Sequence, residues 1–208
     1  MSNAKRVSDL ITGQEVVPVV VIEDQQQAQG LAEALLAGGI TVIEITLRNS
    51  YGVSAIEYIK KNYPDMVVLA GTVTSSDQLR DVVKAGVDGI ISPGITRALL
   101  ETAKELDVAY LPGVATGSEI LLGMEYGLTE FKLFPATVVG GIGALKADSG
   151  PFGHIRFCPT GGVSESNVKD FLALPNVMCV GGSWIAPSSL VREGNWTEIT
   201  RLSKAARA

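Results

Sequence analysis

A lysine stands in the middle of an apolar run. Thr129-Glu130-Phe131-Lys132-Leu133-Phe134-Pro135 has the aromatic and aliphatic content of a short strand and is stopped by proline. Side chains alternate along a strand, so Glu130, Lys132 and Phe134 share one face while Phe131 and Leu133 share the other. Lysine is rarely buried without a partner, and burial disfavours an ammonium over the neutral amine. A neutral amine attacks carbonyl carbon, which makes Lys132 a candidate Schiff-base nucleophile. A lysine snorkelling from an edge strand, or one paired with an internal acid, fits the same run. A second run supplies the acid. In Val42-Ile43-Glu44-Ile45-Thr46-Leu47-Arg48, alternation separates Val42, Glu44, Thr46 and Arg48 from Ile43, Ile45 and Leu47. The apolar set suits covering helices, so Glu44 points inward and Arg48 sits at the strand's end. A carboxylate beside an amine can shuttle protons; a structural Lys–Glu pair is the bland alternative. Arg48 can hold an anion such as a carboxylate in a bidentate fork, or be a solvated surface arginine. Glu130 and Arg156, earlier on neighbouring strands, are expected to form an interior ion pair.

The elements that must position these groups follow from the hydrophobic pattern. A short helix candidate covers residues 5–13, and Val16 to Ile22 is a nearly continuous β-branched strand of the kind found in covered parallel sheets. Further strands are expected at Ile40–Thr46, Met66–Thr72, Asp88–Ser92, Ala109–Gly113, Thr129–Pro135, His154–Thr160 and Val177–Gly181. Helices are expected between them, with N-caps at Ser75 and Ser164 and stops at Gly38, Gly86 and Gly127. Strict alternation of eight strands with helices predicts an α/β fold, a single small (β/α)8 TIM barrel with an N-terminal helix. An open doubly wound sheet is the runner-up, weakened by the lack of a G-x-G-x-x-G after the first strand. In a barrel the reactive end is the C-terminal end of the strands. There the chain places Ala70-Gly71-Thr72, Ser92-Pro93-Gly94, Leu111-Pro112-Gly113, Thr160-Gly161-Gly162 and Gly181-Gly182-Ser183. The last two turns suit a phosphate held by backbone N–H groups.

Composition excludes several classes. The net charge is −5 with no Lys/Arg cluster, which argues against nucleic acid and anionic membranes as partners. No apolar run reaches the length of a membrane span, and no signal peptide is read. One histidine and two cysteines, Cys158 and Cys179 in apolar runs, give no metal-ligand spacing and read as buried thiols in a reducing cytoplasm. Residues 1–4 read as an expression-tag remnant, and 5–208 as one domain.

Taken in order, Val42-Ile43-Glu44-Ile45-Thr46-Leu47-Arg48, Ala70-Gly71-Thr72, Ser92-Pro93-Gly94, Pro112-Gly113-Val114-Ala115-Thr116, Phe131-Lys132-Leu133-Phe134-Pro135-Ala136, Phe157-Cys158-Pro159-Thr160-Gly161-Gly162-Val163 and Gly181-Gly182-Ser183-Trp184 closely resemble the KDPG/KHG aldolase family. These are the 2-dehydro-3-deoxy-6-phosphogluconate and 4-hydroxy-2-oxoglutarate aldolases. The resemblance covers essentially the whole chain beyond residue 4. It implies a class I aldolase on a small barrel, without metal or cofactor, acting on a 2-keto acid and assembling as a homotrimer. It also implies roles: Lys132 as Schiff-base lysine, Glu44 as general acid/base, and Arg48 and Thr72 as pyruvate-carboxylate ligands. Pro93 and Phe134 would line the same pocket, Thr160 would contact the aldehyde-derived part, and Gly161, Gly162 and Ser183 would form the phosphate end. The chain departs from the family pattern at Gly117, where proline is common, and at Asn49-Ser50, where Thr-Pro is common. The galactonate-derived epimer as substrate, or a phosphate-ligand-binding barrel without lyase activity, are the competing readings.

Overall fold

The computed structural model describes residues 5–207; residues 1–4, read above as a tag remnant, and residue 208 lie outside the described residues. In chain order the elements are α1 (Val7–Leu10), β1 (Val16–Val20), α2 (Gln25–Ala37), β2 (Val42–Thr46), α3 (Gly52–Asn62), β3 (Val67–Gly71), α4 (Ser76–Lys84), β4 (Gly89–Ile91), α5 (Arg97–Glu105), β5 (Ala109–Leu111), β6 (Gly113–Val114), α6 (Gly117–Glu125), β7 (Glu130–Leu133), α7 (Gly141–Asp148), β8 (Arg156–Pro159), α8 (Val168–Leu172), β9 (Val180–Gly182), α9 (Ser188–Glu193) and α10 (Trp196–Ala205). All strand pairs are parallel, as the β-branched runs and intervening helices require.

The strands form a curled six-stranded sheet, ordered β5-β4-β3-β2-β1-β9, and a three-stranded sheet, β6-β7-β8. The parallel α/β architecture is as expected, and its backbone ladders run as two sheets. The strand expected over 109–113 is divided at Pro112, which has no N–H to give to a ladder. Its carbonyl still accepts from Lys132 N at 2.9 Å, so the chain leaves β4 and joins β7 at this residue. On the other side, isolated bridges join β8 to the segment before β9 at Phe157–Val177, and the residue after β8 to β9 at Thr160–Gly181. Pro18, in mid-strand, pairs with Gly182, and the ladder from β1 to β2 begins only at Val19.

Register sets one layer. Val19 aligns with Glu44, Glu44 with Leu69, Leu69 with Gly89 and Gly89 with Ala109. The opposite set, including Ile43, Ile45, Phe131 and Phe157, is fully buried under the helices. The N-cap expected at Ser75 forms, accepting from Gln78 N, and Thr116 and Glu119, not read as a cap, form a reciprocal capping box. The expected cap at Ser164 is not formed; Asn167 precedes a shorter α8, and its Oδ1 accepts from Ser164 N at 2.9 Å. Helix α9 was not anticipated. Among the described residues no helix is long and apolar enough to cross a membrane.

Candidate active site

Lys132 lies on β7, all of whose residues are buried, and Glu44 lies on β2, also buried throughout. Strand alternation turns both side chains inward, and Lys132 Nζ meets Glu44 Oε1 at 3.0 Å, across 88 residues of sequence. Their side chains are 6% and 2% exposed, so the pair sits out of bulk water. The ammonium lies 5.1 Å from the centroid of the half-buried Phe134 ring, within cation–π range. Gly71, at the end of β3, completes this corner: a Cβ there would overlap the Glu44 carboxylate. The sequence pattern contained Gly71 without giving it a role, and no single-residue signal marks a glycine whose absent side chain makes room for a distant acid.

The residues expected around the keto acid follow the C-terminal ends of their strands: Arg48 after β2, Thr72 after β3, Pro93 after β4 and Phe134 after β7. Arg48 is exposed just beyond β2 and forms no ion pair among the described residues. Thr72, next to Gly71, has φ 57°. A β-branched residue in left-handed backbone is a genuine outlier, and such strain concentrates at functional sites. Pro93 is fixed from behind, because its carbonyl fills the space that a side chain at Gly113 would need. Ser92 Oγ donates to Gly94 O, so the 2.7 Å contact with Tyr110 takes its proton from the phenol. Burial pushes that phenol up to about 12, which keeps it a donor.

The remaining predicted residues follow β8 and β9. Thr160 is buried; its N donates to Leu133 O at 3.0 Å, and its carbonyl accepts from Ala136 N at 2.7 Å. Its hydroxyl lies against Gly181, where a Cβ would overlap it. Gly161 and Gly162 have φ of 95° and 78°, conformations that glycine adopts freely, and Thr137 leaves no space for a side chain at Gly162. Gly162 and Ser183 are exposed, and the Gly162 carbonyl accepts from Asn167 Nδ2 at 3.0 Å.

Two expectations about interior polar groups divide. Cys158 and Cys179 are free, buried thiols, as read. A hydrogen bond from Cys179, with the nearby Lys132 charge, lowers the Cys158 thiol; the same bond and burial raise Cys179. The Glu130–Arg156 ion pair is corrected. The two residues align in β7 and β8, but the Glu130 carboxylate accepts from Ser8 N at 3.1 Å and from Ser8 Oγ, while Arg156 is exposed. Helix α1 covers that end of the sheet and supplies closer donors than an arginine at a strand's first residue. No group of three or more metal-ligating side chains occurs among the described residues. Cavities of about 480 and 600 Å³ open around Glu15 and Arg207, away from Lys132. The site is therefore marked by its buried ion pair and strained strand end, not by cavity size.

Comparison with known proteins places this geometry. A family model of KDPG and KHG aldolase matches residues 7–202. A 2-dehydro-3-deoxy-phosphogluconate aldolase of Dickeya dadantii is 49% identical over all of this chain and 98% of its own length. The KHG/KDPG aldolase of Escherichia coli K12 is 46% identical over 99% of this chain and 97% of its own. Among solved structures, the KDPG aldolase of Legionella pneumophila, with pyruvate captured as a covalent carbinolamine, superposes with a TM-score of 0.95. It is 44% identical and covers 97% of this chain and 98% of its own. With its buried lysine–glutamate pair between strands, this chain belongs to the KDPG and KHG aldolase family.

Proposed function

We propose that the chain is a class I aldolase that cleaves 2-dehydro-3-deoxy-6-phosphogluconate to pyruvate and glyceraldehyde 3-phosphate, and 4-hydroxy-2-oxoglutarate to pyruvate and glyoxylate, through a Schiff base on Lys132. The observation that carries this reading is the buried Lys132 amine on β7, 3.0 Å from the Glu44 carboxylate on β2. Glu44 takes a proton from the ammonium, and the freed amine attacks C2 of the keto acid to give a carbinolamine. Loss of water, with the hydroxyl protonated by Glu44, leaves an iminium ion. The iminium draws electrons from the C3–C4 bond, while Glu44, relayed by a water, removes the C4 hydroxyl proton. The aldehyde leaves, an enamine remains, and Glu44 returns the proton to C3. Hydrolysis of the imine releases pyruvate and the amine. No step needs a metal or a cofactor.

In this reading Arg48 and Thr72 hold the carboxylate, Pro93 and Phe134 wall the pyruvyl part, and Thr160 meets the aldehyde-derived part. The left-handed backbone at Gly161 and Gly162, whose carbonyls are held by Thr137 and Asn167, and the exposed Ser183 support a phosphorylated substrate bound by backbone N–H groups. We also propose that the two sheets work as one closed eight-stranded barrel, joined through Pro112 and the bridges at Phe157 and Thr160, and that the enzyme is a cytoplasmic homotrimer. The test is intact mass and peptide mapping after treatment with pyruvate and sodium borohydride. A reduced pyruvyl adduct on Lys132 is expected. A folded protein that forms no adduct at saturating pyruvate refutes the aldolase reading. Turnover on the gluconate- and galactonate-derived substrates then compares the two epimers.

A further inference from the structure

The loop that carries Arg48 is held by a residue that the reaction does not use. We propose that Asn49 is a positioning residue that aims Arg48 at the substrate carboxylate; this rests on the aldolase reading and on Arg48 as carboxylate ligand. Asn49 Nδ2 donates to Ile22 O at 2.9 Å, and its Oδ1 accepts from Tyr51 N at 3.1 Å. Ile22 is fully buried just beyond β1, and Tyr51 is the residue preceding α3. One side chain thus ties the end of β1 to the start of α3, across the loop that follows β2. Two further constraints hold that loop. Leu47 N donates to Gly71 O at 2.9 Å, which ties it to β3, and Gly52 packs so tightly on Leu47 and the Thr46 carbonyl that a side chain there would overlap them. Thr46 adds a parallel tie one layer below, through Oγ1 to Val20 O at 2.9 Å.

Arg48 therefore lies between two fixed residues, with its backbone set and its exposed guanidinium unpaired among the described residues. A fork aimed before the ligand arrives loses less freedom on binding a carboxylate. Without the Asn49 amide, the Ile22 carbonyl loses its donor and residues 48–51 lose their tie to β1. The Arg48 fork then loses its aim while Lys132 and Glu44, on other ties, keep theirs. The expected signature is a weaker grip on the carboxylate with unchanged chemistry at the carbonyl.

The test compares borohydride trapping of pyruvate with that of its neutral amide, pyruvamide, in the wild type, Asn49→Ala, Asn49→Asp and Arg48→Met. Arg48→Met is expected to abolish the preference for pyruvate. Asn49→Ala is expected to reduce it by about tenfold, through weaker pyruvate dependence alone, and to raise KM with kcat little changed. Asn49→Asp keeps the acceptor for Tyr51 N, which preserves the start of α3. It is expected to reduce the preference further, because its carboxylate competes for Arg48. If both Asn49 variants keep the wild-type preference while Arg48→Met loses it, the proposal is wrong and the Arg48 assignment stands. A proportional loss on both ketones would show a merely structural role and overturn the proposal as well. If Arg48→Met keeps the preference, the assignment of Arg48 fails and the Asn49 proposal with it.

Discussion

Lys132→Met removes one charge of a buried pair and keeps most of the side chain's volume. The partner left behind, Glu44, has a side chain only 2% exposed, and its Oε1 has Lys132 Nζ as its hydrogen-bond partner. Removing one member of a buried ion pair costs about 3–5 kcal/mol. For a chain of this length that corresponds to a fall in Tm of roughly 6–20 °C. Urea denaturation of wild type and variant at neutral pH measures the difference directly. Adding Glu44→Gln to Lys132→Met replaces the stranded carboxylate by a neutral amide and is expected to recover part of the deficit, because an unpaired buried amide costs less than an unpaired buried charge. A variant within about 1 kcal/mol of wild type, or a double variant no more stable than Lys132→Met alone, would refute the reasoning that the pair is buried and mutually compensated.

Glu44→Gln alone is expected to lower kcat by about 10²–10⁴, the usual worth of a positioned acid/base, while adduct formation with pyruvate slows less; steady-state and trapping rates measured together check this. Gly71→Ala drives a methyl group into the Glu44 carboxylate. It is expected to lower kcat about 10²-fold through displacement of the acid and to cost roughly 1–3 kcal/mol of stability, read by turnover and by urea denaturation. Thr72→Gly relieves left-handed strain of about 1–2 kcal/mol against a glycine entropy cost of about 0.5–1 kcal/mol. A small rise in Tm with a raised KM for the keto acid is expected, and a fall in Tm would show that the Thr72 side chain contributes more packing than strain.

Much of the molecule was legible along the chain. Period-two alternation put Lys132 and Glu44 on inward faces, and continuous β-branched runs announced covered parallel strands. The helix start at Ser75 followed from local hydrogen bonding, which operates over three residues and so is written in sequence. Local rules also set the break at Pro112, since a residue without N–H cannot extend a ladder, although the reading there expected an unbroken strand. What the sequence could not decide were contacts whose partners lie far apart. Glu130 and Arg156 had the right charges and adjacent strands, yet Ser8 of the N-terminal helix took the carboxylate. Gly71 and the left-handed Thr72 are set by the Glu44 side chain and by the neighbouring strand ends, neither of which a propensity encodes. The residue types capable of the chemistry were determined by the sequence alone. Their 3.0 Å meeting across 88 residues was decided only by the tertiary structure, because the packing of the two parallel sheets sets which inward side chains face each other, and a strand's own alternation sets only that they point inward.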